Sequence, residues 1–486
     1  MKIGIIGGGW YGGHTARVLA KEGDDVTILE AGPHIFGRVS GMFGIRDHAG
    51  PHYPRSPKTR ESCRRGAAEF DVLYPDLIIE HQYSIYGLGA RDSSGMPSKV
   101  TPEQFQRVCE ESKGCRPINP KAWGFNNQAM IVAFDVHEPS IAVGKKLRET
   151  WERFLEEDNI KVRCNYLVKK IEKREGKVVI NDELEFDAIV NATSFQSFVP
   201  QKPLPFKIDI KYQVCLALVY EDLKSMPAPF SVIVMDGEFP CLMPYDDRTE
   251  GEEDLNRNYI MTHGKWTIMC SLDTPEEARA LLNKITDRFI EKKVKPRCEQ
   301  HMMEFWPKFS ERFRYKGWKG NVLAKIRSDA EFRSAVTFAD ENMVHIIPGK
   351  VTNVVDAARE TSALLRGQNV LTDGNYRYTQ GGVLDEALHE IKSVITVRNT
   401  CDLQTYRELE SLPELGDDPV PSSDKEIVGN VVSITTARSS RNIGSVPSAP
   451  LPIPTSADKK PAITSLPNSF TAPPPASDKR RMSAEF

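Results

Sequence analysis

Three glycines near the start of the chain have the spacing of a dinucleotide-binding turn. Gly7, Gly9 and Gly12 follow residues 2–6, which are predicted to form a short buried strand. After the glycines, apolar residues spaced among polar ones predict a helix that ends at Gly23. Gly7 permits a tight turn, Gly9 lets the backbone approach a pyrophosphate, and Gly12 lets the helix pack closely on the strand. The start of the helix would direct its N–H groups and its positive dipole end at the phosphates. The segment therefore indicates a ligand with a diphosphate.

A carboxylate at the end of the next predicted strand is placed to bind a ribose. The apolar run 26–29 leads directly into Glu30. A carboxylate at this position accepts hydrogen bonds from both ribose hydroxyls of an adenosine. It would repel a 2′-phosphate, so a phosphorylated nicotinamide cofactor is disfavoured.

Three further segments favour a flavin over a nicotinamide dinucleotide. Arg38 can neutralise a pyrophosphate and Ser40 can bond to it. The predicted strand 186–193 ends in small polar residues, and the predicted strand 343–350 ends in Pro-Gly before a helix start at 352–358. A helix start aimed at a flavin stabilises negative charge on the reduced ring. The nucleotide-binding sheet is then assembled from the first, middle and late parts of the chain.

This order of segments resembles the glutathione-reductase-type superfamily of FAD-dependent proteins. The late segment VHIIPGKVTNVVDAARETSALL resembles the D-amino-acid-oxidase-like branch. The early GRVSG and the stretch 47–53 resemble the amine-oxidase and UDP-galactopyranose-mutase branch, in which a Gly-x-His stretch runs beside the flavin ring. The resemblance covers residues 1–370. One departure is Ser194, where the superfamily usually has Gly after Ala-Thr, so a side chain is added near the cofactor.

The motifs and the resemblance together predict a set of FAD-binding residues. Val168 belongs to it because the resembled superfamily contacts the adenine through a strand backbone at this point. The predicted set is Gly7, Gly9, Trp10, Tyr11, Gly12, Glu30, Arg38, Ser40, Val168, Ala192, Thr193, Gly349, Lys350, Thr352, Asn353 and Val354. No metal site is expected, because the nine cysteines contain no C-x-x-C pair.

Three residues are candidates for contact with a substrate. Arg327 and Arg333 precede the late predicted strand, where an arginine fork could anchor a carboxylate, although surface arginines in a loop would have the same pattern. His52 lies where the resembled branch places a histidine against the flavin, and a structural histidine explains it equally well. A second G-x-G-x-x-G after a strand is absent from the sequence. Electrons are therefore expected from an organic substrate, not from a nicotinamide cofactor.

Composition bounds the class of protein and its partners. The chain has 486 residues, of which 40% are hydrophobic, so two or three domains are expected. A net charge of −3 gives no reason to expect a nucleic-acid partner. The sequence has no apolar run of about 18 residues, so no membrane span is predicted, and it has no pattern of a signal peptide. An odd number of irregularly spaced cysteines fits a reducing, cytoplasmic location.

The predicted fold is α/β, with a Rossmann-like FAD-binding domain whose parallel sheet is discontinuous, and an α+β substrate domain with an antiparallel sheet. The Pro/Ser-rich tail cannot bury enough apolar surface to order itself, and it is a possible docking segment for a protein partner. The predicted segments are 1–75, 139–204 and 326–370 for FAD binding, 76–138 for a cap, 205–325 for the substrate domain, 371–415 for a helical extension and 416–486 for the disordered tail.

These observations predict an FAD-dependent oxidoreductase. Its expected substrate is a small amine, an amino acid or a related polar molecule that loses a hydride to the flavin. One alternative is a flavin-dependent nucleotide-sugar mutase, which the Gly-x-His stretch at 50–52 favours. A second alternative is a non-catalytic FAD-binding protein whose tail recruits a partner.

Overall fold

The computed structural model describes residues 1–43, 45–48, 50–200, 209–224, 228–245, 258–328, 332–340, 343–368 and 399–415. The described residues do not include the predicted disordered tail 416–486. They also do not include residues 369–398, which hold most of the predicted helical extension 371–415.

The strands of the described residues fall into four sheets. In chain order they are β1 (Lys2–Ile6), β2 (Asp25–Leu29), β3 (Ile45–Arg46), β4 (Ile78–Ile79), β5 (Tyr83–Gly89), β6 (Arg116–Ile118), β7 (Met130–Val136), β8 (Ser140–Ile141), β9 (Lys161–Arg163), β10 (Ile171–Arg174), β11 (Lys177–Ile180), β12 (Leu184–Phe186), β13 (Ala188–Asn191), β14 (Ile210–Asp222), β15 (Phe230–Met235), β16 (Pro240–Pro244), β17 (Asn258–His263), β18 (Ile268–Leu272), β19 (Phe313–Ile326), β20 (Val336–Asp340) and β21 (Met343–Ile347).

The described residues also form a set of helices. They are α1 (Trp10–Lys21), α2 (Val39–Met42), α3 (Pro57–Leu73), α4 (Pro102–Glu110), α5 (Gly144–Glu157), α6 (Pro275–Leu282), α7 (Asp287–Phe289), α8 (Lys295–Phe305), α9 (Phe309–Arg312), α10 (Val354–Leu365) and α11 (Thr405–Ser411). None of the helices in the described ranges combines the length and the apolar character that crossing a bilayer requires.

The first large sheet is discontinuous in sequence, as predicted. Its strand order is β20-β21-β13-β1-β2-β9, and every neighbouring pair is parallel except β20 and β21. Ile5 at its centre pairs with Ile28 on one side and Val190 on the other. Helices α1 and α10 pack against each other beside this sheet, so the first and last segments of the domain share one core.

The second large sheet joins two segments that the sequence analysis treats separately. Strands β14–β19 lie in the predicted substrate domain, whereas β5, β6 and β7 come from the predicted cap. The two groups are joined by parallel pairing of β5 with β15, in which Ile85 lies opposite Val232. Helices α6, α8 and α9 cover this sheet, and their buried residues include Met302, Phe305 and Phe309.

Two predicted helices have different bounds in the structure. The pattern predicts a helix over 141–155, but it begins at Gly144, because Ile141 pairs as a strand residue with Ile78. The pattern also predicts one helix over 274–292. In the structure α6 ends at Leu282, and a new helix, α7, begins at Asp287. Thr286 caps α7, because its side chain accepts a hydrogen bond from the backbone N–H of Phe289.

Candidate active site

An elongated cavity of about 880 Å³ lies at the carboxyl ends of β1, β2 and β13. Ligands of open α/β sheets bind at this edge, because the loops that follow the strands leave a crevice there. The first predicted FAD segment contributes Gly7, Gly9, Glu30, Arg38 and Ser40 to the wall. The middle segments contribute Val168, Ala192 and Thr193. We call this the dinucleotide trough.

At three positions of the glycine turn, the Cβ of any other residue would come very close to neighbouring atoms. Gly7 has φ +106°, and a Cβ there would lie 2.6 Å from the carbonyl oxygen of Ala192. A Cβ on Gly12 would lie 1.9 Å from the carbonyl oxygen of Gly7, and one on Gly9 would lie 2.9 Å from Ser40 Oγ. The approach at Gly12 agrees with the close helix packing predicted there, and the predicted role of Gly9 towards a pyrophosphate stays a prediction.

The start of α1 is available for an anion. Gly9 has no side chain to cap the helix, and the backbone N–H of Trp10 donates to Ser40 Oγ at 3.3 Å. Glu30 is held beside the turn, because its Oε2 accepts from the N–H of Gly8 at 2.8 Å and its Oε1 from the N–H of Gly32 at 2.7 Å. The carboxylate thus lies in the trough wall, where the sequence places the ribose.

Ser194, the departure from the superfamily pattern, lies at the junction of two cavities. It has φ +58°, a conformation that favours glycine, which explains why glycine is usual at this position. Val39, Ser40 and Ser194 line both the dinucleotide trough and a second cavity of about 1,550 Å³. The trough therefore continues into this second cavity.

The second cavity is where the late predicted segment meets the glycine turn. Trp10, Tyr11, Gly349 and Lys350 line it. The hydroxyl of Tyr11 donates to the carbonyl oxygen of Lys350 at 2.6 Å and accepts from the N–H of Gly349 at 2.8 Å. Gly349 is itself tightly enclosed, since a Cβ there would lie 2.3 Å from the backbone nitrogen of Ala335. Tyr11 thus ties the start of the chain to the late loop that is predicted to bind the flavin.

Four predicted cofactor residues lie behind the cavity wall rather than in it: Gly12, Thr352, Asn353 and Val354. Asn353 supports the loop, because its Oδ1 accepts from the N–H of Lys350 at 2.9 Å and its Nδ2 donates to Ser62 Oγ at 2.8 Å. The structure thus assigns to Asn353 a role in shaping the Lys350 loop.

A third cavity of about 1,390 Å³ overlaps the second one and extends it towards the second sheet. The two cavities share the apolar wall residues Phe43, Ile233, Met243 and Leu323 and the polar residues His52, Thr262, Lys325, Arg333 and Lys350. We call the second and third cavities together the substrate chamber. Its wall is mostly apolar, and Lys325, Arg333 and Lys350 line the part that the two cavities share.

Lys350 is a cation of the chamber whose pKa is strongly lowered. Burial, together with the positive charges of Arg333 and Lys325, lowers the pKa of Lys350 to about 8. Its Nζ lies 5.1 Å from the centre of the Tyr53 ring, in a cation–π contact. Below about pH 8 the Lys350 side chain itself is therefore positively charged.

The structure separates the two predicted substrate-anchoring arginines. Arg333 lines both chamber cavities. Arg327 follows the end of β19 and instead pairs with Asp402 at 3.0 Å, with 44% of its side chain exposed. We therefore retain Arg333 as a candidate anchor and not Arg327.

A buried histidine–carboxylate cluster borders the chamber, and the sequence analysis did not assign it. His52, the predicted flavin neighbour, lies in the chamber wall and stacks on His48 at a ring distance of 4.3 Å. His48 Nδ1 lies 3.1 Å from Glu138 Oε2. The separation of 90 positions along the chain explains why no local motif revealed the pair.

The chemistry of the walls fits FAD and gives no indication of a metal. The glycine turn fits a diphosphate, and in the substrate chamber the buried Ser334 Oγ and His52 Nδ1 have no hydrogen-bond partner among the described residues. Within the described ranges, no group of three or more His, Cys, Asp or Glu side chains could hold a metal ion. All nine cysteines lie in these ranges as free thiols, and the cytoplasmic location stays a prediction.

Comparison with curated proteins identifies close relatives of the chain. It is 44% identical over 423 residues to the FAD-dependent monooxygenase kojA of Aspergillus flavus, covering 84% of this chain and 98% of that protein. It is 26% identical over 363 residues to the FAD-dependent monooxygenase FPY4 of Fusarium mangiferae, covering 75% of this chain and 90% of that protein.

The solved structures agree on the fold, and a family profile indicates the cofactor. Glycine oxidase from Geobacillus kaustophilus has a TM-score of 0.57 at 10% identity, over 76% of this chain and 96% of that one. L-Proline dehydrogenase from P. horikoshii has a TM-score of 0.54 at 16% identity, over 76% and 94%. The profile described as "DAO: FAD dependent oxidoreductase" matches residues 2–307. The chain thus belongs to the DAO family of FAD-dependent oxidoreductases, which confirms the predicted cofactor and fold class.

Proposed function

We propose that this oxidoreductase removes a hydride from a small polar substrate that carries an anionic group, such as an amino acid or a hydroxy acid. The observation that carries the proposal is the substrate chamber, which continues from the dinucleotide trough and has Arg333, Lys325 and Lys350 in its wall. When bound, FAD would supply the hydride acceptor.

The chain's own residues would hold the cofactor from both ends. The glycine turn and the start of α1 would bind the diphosphate, and Glu30 would accept from the ribose. The loop that Tyr11 fixes, together with the turn Val351–Asn353 before α10, would lie at the flavin end. The partial positive charge of that helical start favours electron-rich groups nearby.

The cationic end of the chamber supports an anionic substrate. The guanidinium of Arg333 is a planar fork that can donate two parallel hydrogen bonds to a carboxylate. Lys325 and Lys350 add positive charge in the same wall, close enough for Lys325 to contribute to the lowered pKa of Lys350. Binding an anion there would relieve the repulsion among these cations.

The apolar part of the chamber supports a compact substrate enclosed from water. Ile233, Met243 and Leu323 contribute apolar surface to the same chamber wall. Removing water from this region strengthens the electrostatic interactions inside it. The names of the structural neighbours agree with this choice of substrate, because they include a glycine oxidase and an L-proline dehydrogenase.

Oxygen insertion is a second candidate function, because the 44% identical relative is named a monooxygenase. A monooxygenase product gains an oxygen atom from O₂, whereas a product of hydride removal gains a double bond. The mass of a product formed under ¹⁸O₂ separates the two reactions. The family match supports an enzyme and favours neither a nucleotide-sugar mutase nor a non-catalytic binder.

Anaerobic bleaching of the flavin tests the proposal. The purified holoenzyme would be mixed without oxygen with amino acids, hydroxy acids and their neutral amides and esters, and the flavin absorbance recorded. We expect bleaching by at least one carboxylate and not by its neutral counterpart. Equal bleaching by the neutral compound contradicts the anion requirement, and a flavin that none of these compounds reduces contradicts the proposed function.

A further inference from the structure

A buried carboxylate next to the substrate chamber has a specific set of partners. The side chain of Glu138 is 0% exposed. Its Oε1 accepts from the N–H of Gly50 at 3.2 Å, and its Oε2 accepts from the hydroxyl of Tyr86. Oε2 also lies 3.1 Å from His48 Nδ1 and 3.8 Å from the guanidinium of Arg46. A carboxylate so supplied with donors and a cation can stay ionised away from water.

This arrangement defines the state of His48. Because the Glu138 carboxylate can only accept, His48 Nδ1 carries the hydrogen of their bond. In the neutral ring the other nitrogen, Nε2, then has the lone pair, and His48 lines the second cavity. Burial, with the charges of Lys350 and Arg46, lowers the pKa of His48 well below its usual value. The ring is thus a neutral proton acceptor at neutral pH.

His52, which the sequence analysis favours, lacks such an orienting partner among the described residues. It stacks on His48, and its buried Nδ1 has no hydrogen-bond partner there. A catalytic base needs a third group that fixes its tautomer and its orientation. Glu138 provides that group for His48.

We propose that His48 is the catalytic base of this enzyme and that Glu138 positions it. This inference rests on the proposed function, because it concerns the proton that the same substrate must lose. His48 Nε2 takes a proton from the hydroxyl or ammonium group of the substrate, while the hydride leaves the adjacent carbon.

The step balances in atoms and electrons. The substrate C–H bond breaks with both electrons leaving on the hydrogen as a hydride, which FAD would accept when bound. The O–H or N–H bond breaks with its electron pair staying on the substrate, where it becomes the new C=O or C=N bond. The proton binds His48 Nε2, and the Glu138 carboxylate stabilises the resulting imidazolium. The substrate is oxidised by two electrons and the flavin is reduced by two.

The surrounding charges limit how long the proton stays on His48. The titratable and charged groups that face the pair are Arg46, Asp47, His52, Tyr53, Tyr86 and Lys350. Burial and the neighbouring Asp71 raise the pKa of Asp47 to about 9, so it is neutral at pH 7. Lys350 and Arg46 repel an imidazolium, which favours release of the proton after each turnover.

The test measures the rate of anaerobic flavin reduction in the holoenzyme by stopped flow. In His48→Asn the amide N–H can still donate to Glu138, but the acceptor Nε2 is lost. We expect the reduction rate to fall by about 10²-fold or more, the usual size of a general-base contribution, with the flavin spectrum retained. His345→Gln is the matched control, because His345 is a buried histidine outside the described chamber lining and bonds to Asn191, which also lies outside it.

A pH profile distinguishes a positioning role of Glu138 from a purely structural role. Glu138→Gln removes the charge that stabilises the imidazolium, so the acidic limb of the reduction rate should move to lower pH and its plateau should fall. An unchanged rate in His48→Asn, or an unchanged pH profile in Glu138→Gln, overturns the dyad. Both outcomes presuppose that a substrate bleaches the flavin of the wild-type enzyme. They therefore differ from failure of the proposed function, in which no compound bleaches that flavin.

Discussion

Lys350 gives the chamber a charge that depends on pH near the physiological range. Its pKa is lowered to about 8, so the side chain is cationic below that pH and neutral above it. We expect the KM for a carboxylate substrate to rise as pH increases through about 8, because the anion then loses one of its attracting charges.

Two variants at this position show whether Lys350 causes that rise. Lys350→Arg keeps its charge above pH 8, so the rise should disappear while the KM stays low. Lys350→Gln should have a raised KM at every pH. Steady-state kinetics between about pH 6.5 and 9.5 distinguish these results, and a rise that persists in Lys350→Arg assigns the titration to another group.

Arg333 and Arg327 form a natural pair for testing the anchor, since one lines the chamber and the other pairs with Asp402 at the surface. Arg333→Gln should raise the KM for a carboxylate by about 10²-fold, the usual effect of losing a charged hydrogen-bonding partner. Arg327→Gln should change it less than about 3-fold, because exposed ion pairs contribute little. Equal effects of the two substitutions would argue against Arg333 as the anchor.

At the scale of elements, the loop at 348–350 depends on a side chain from the opposite end of the chain. The hydroxyl of Tyr11 makes both hydrogen bonds to the backbone of Gly349 and Lys350. Tyr11→Phe would leave a partly buried N–H and carbonyl oxygen without this partner, at a cost of about 1–3 kcal/mol. We expect weaker FAD binding, measured by fluorescence titration of the apoprotein.

Tyr406→Phe is a suitable control for that substitution, because Tyr406 lies on α11, far from the late flavin loop in sequence and outside the described cavity linings. It should leave the Kd for FAD unchanged. A Tyr11→Phe protein with wild-type affinity would show that the loop holds its shape without these bonds.

Local patterns predicted the elements of the dinucleotide trough better than the elements around the substrate chamber. The glycine turn, the strand before Glu30 and the Pro-Gly loop each follow from neighbouring residues, so their chemistry is readable from spacing. The pairing of β5 with β15 and the contact of His48 with Glu138 join distant residues. Such contacts depend on how the sheets assemble, which single-sequence periodicity does not encode. Arg327 shows the same limit, because its partner Asp402 lies 75 residues away.

At the scale of the whole molecule, the segment 399–415 packs on the second large sheet, although it follows the predicted FAD-binding segments in sequence. Lys265 pairs with Glu408 at 2.8 Å, and the Nε2 of Gln213 donates to the carbonyl oxygen of Thr400 at 2.7 Å. Leu403 and Leu409 are buried, at 1% and 0% exposure. Thr400 also lines the third cavity. This segment therefore contributes both to stability and to the wall of the chamber.

Two truncations test this contribution. A chain ending at residue 415 keeps every described contact of the segment, so it should retain the wild-type Tm and rate of flavin reduction. A chain ending at residue 398 loses two buried leucines, each worth about 1.5–3 kcal/mol, and exposes the sheet surface they cover. Its Tm should fall by several degrees and its KM should rise, because the chamber loses the wall at Thr400. If the two truncated proteins have the same Tm and equal KM values, the segment is dispensable and the chamber is closed by the two sheets alone.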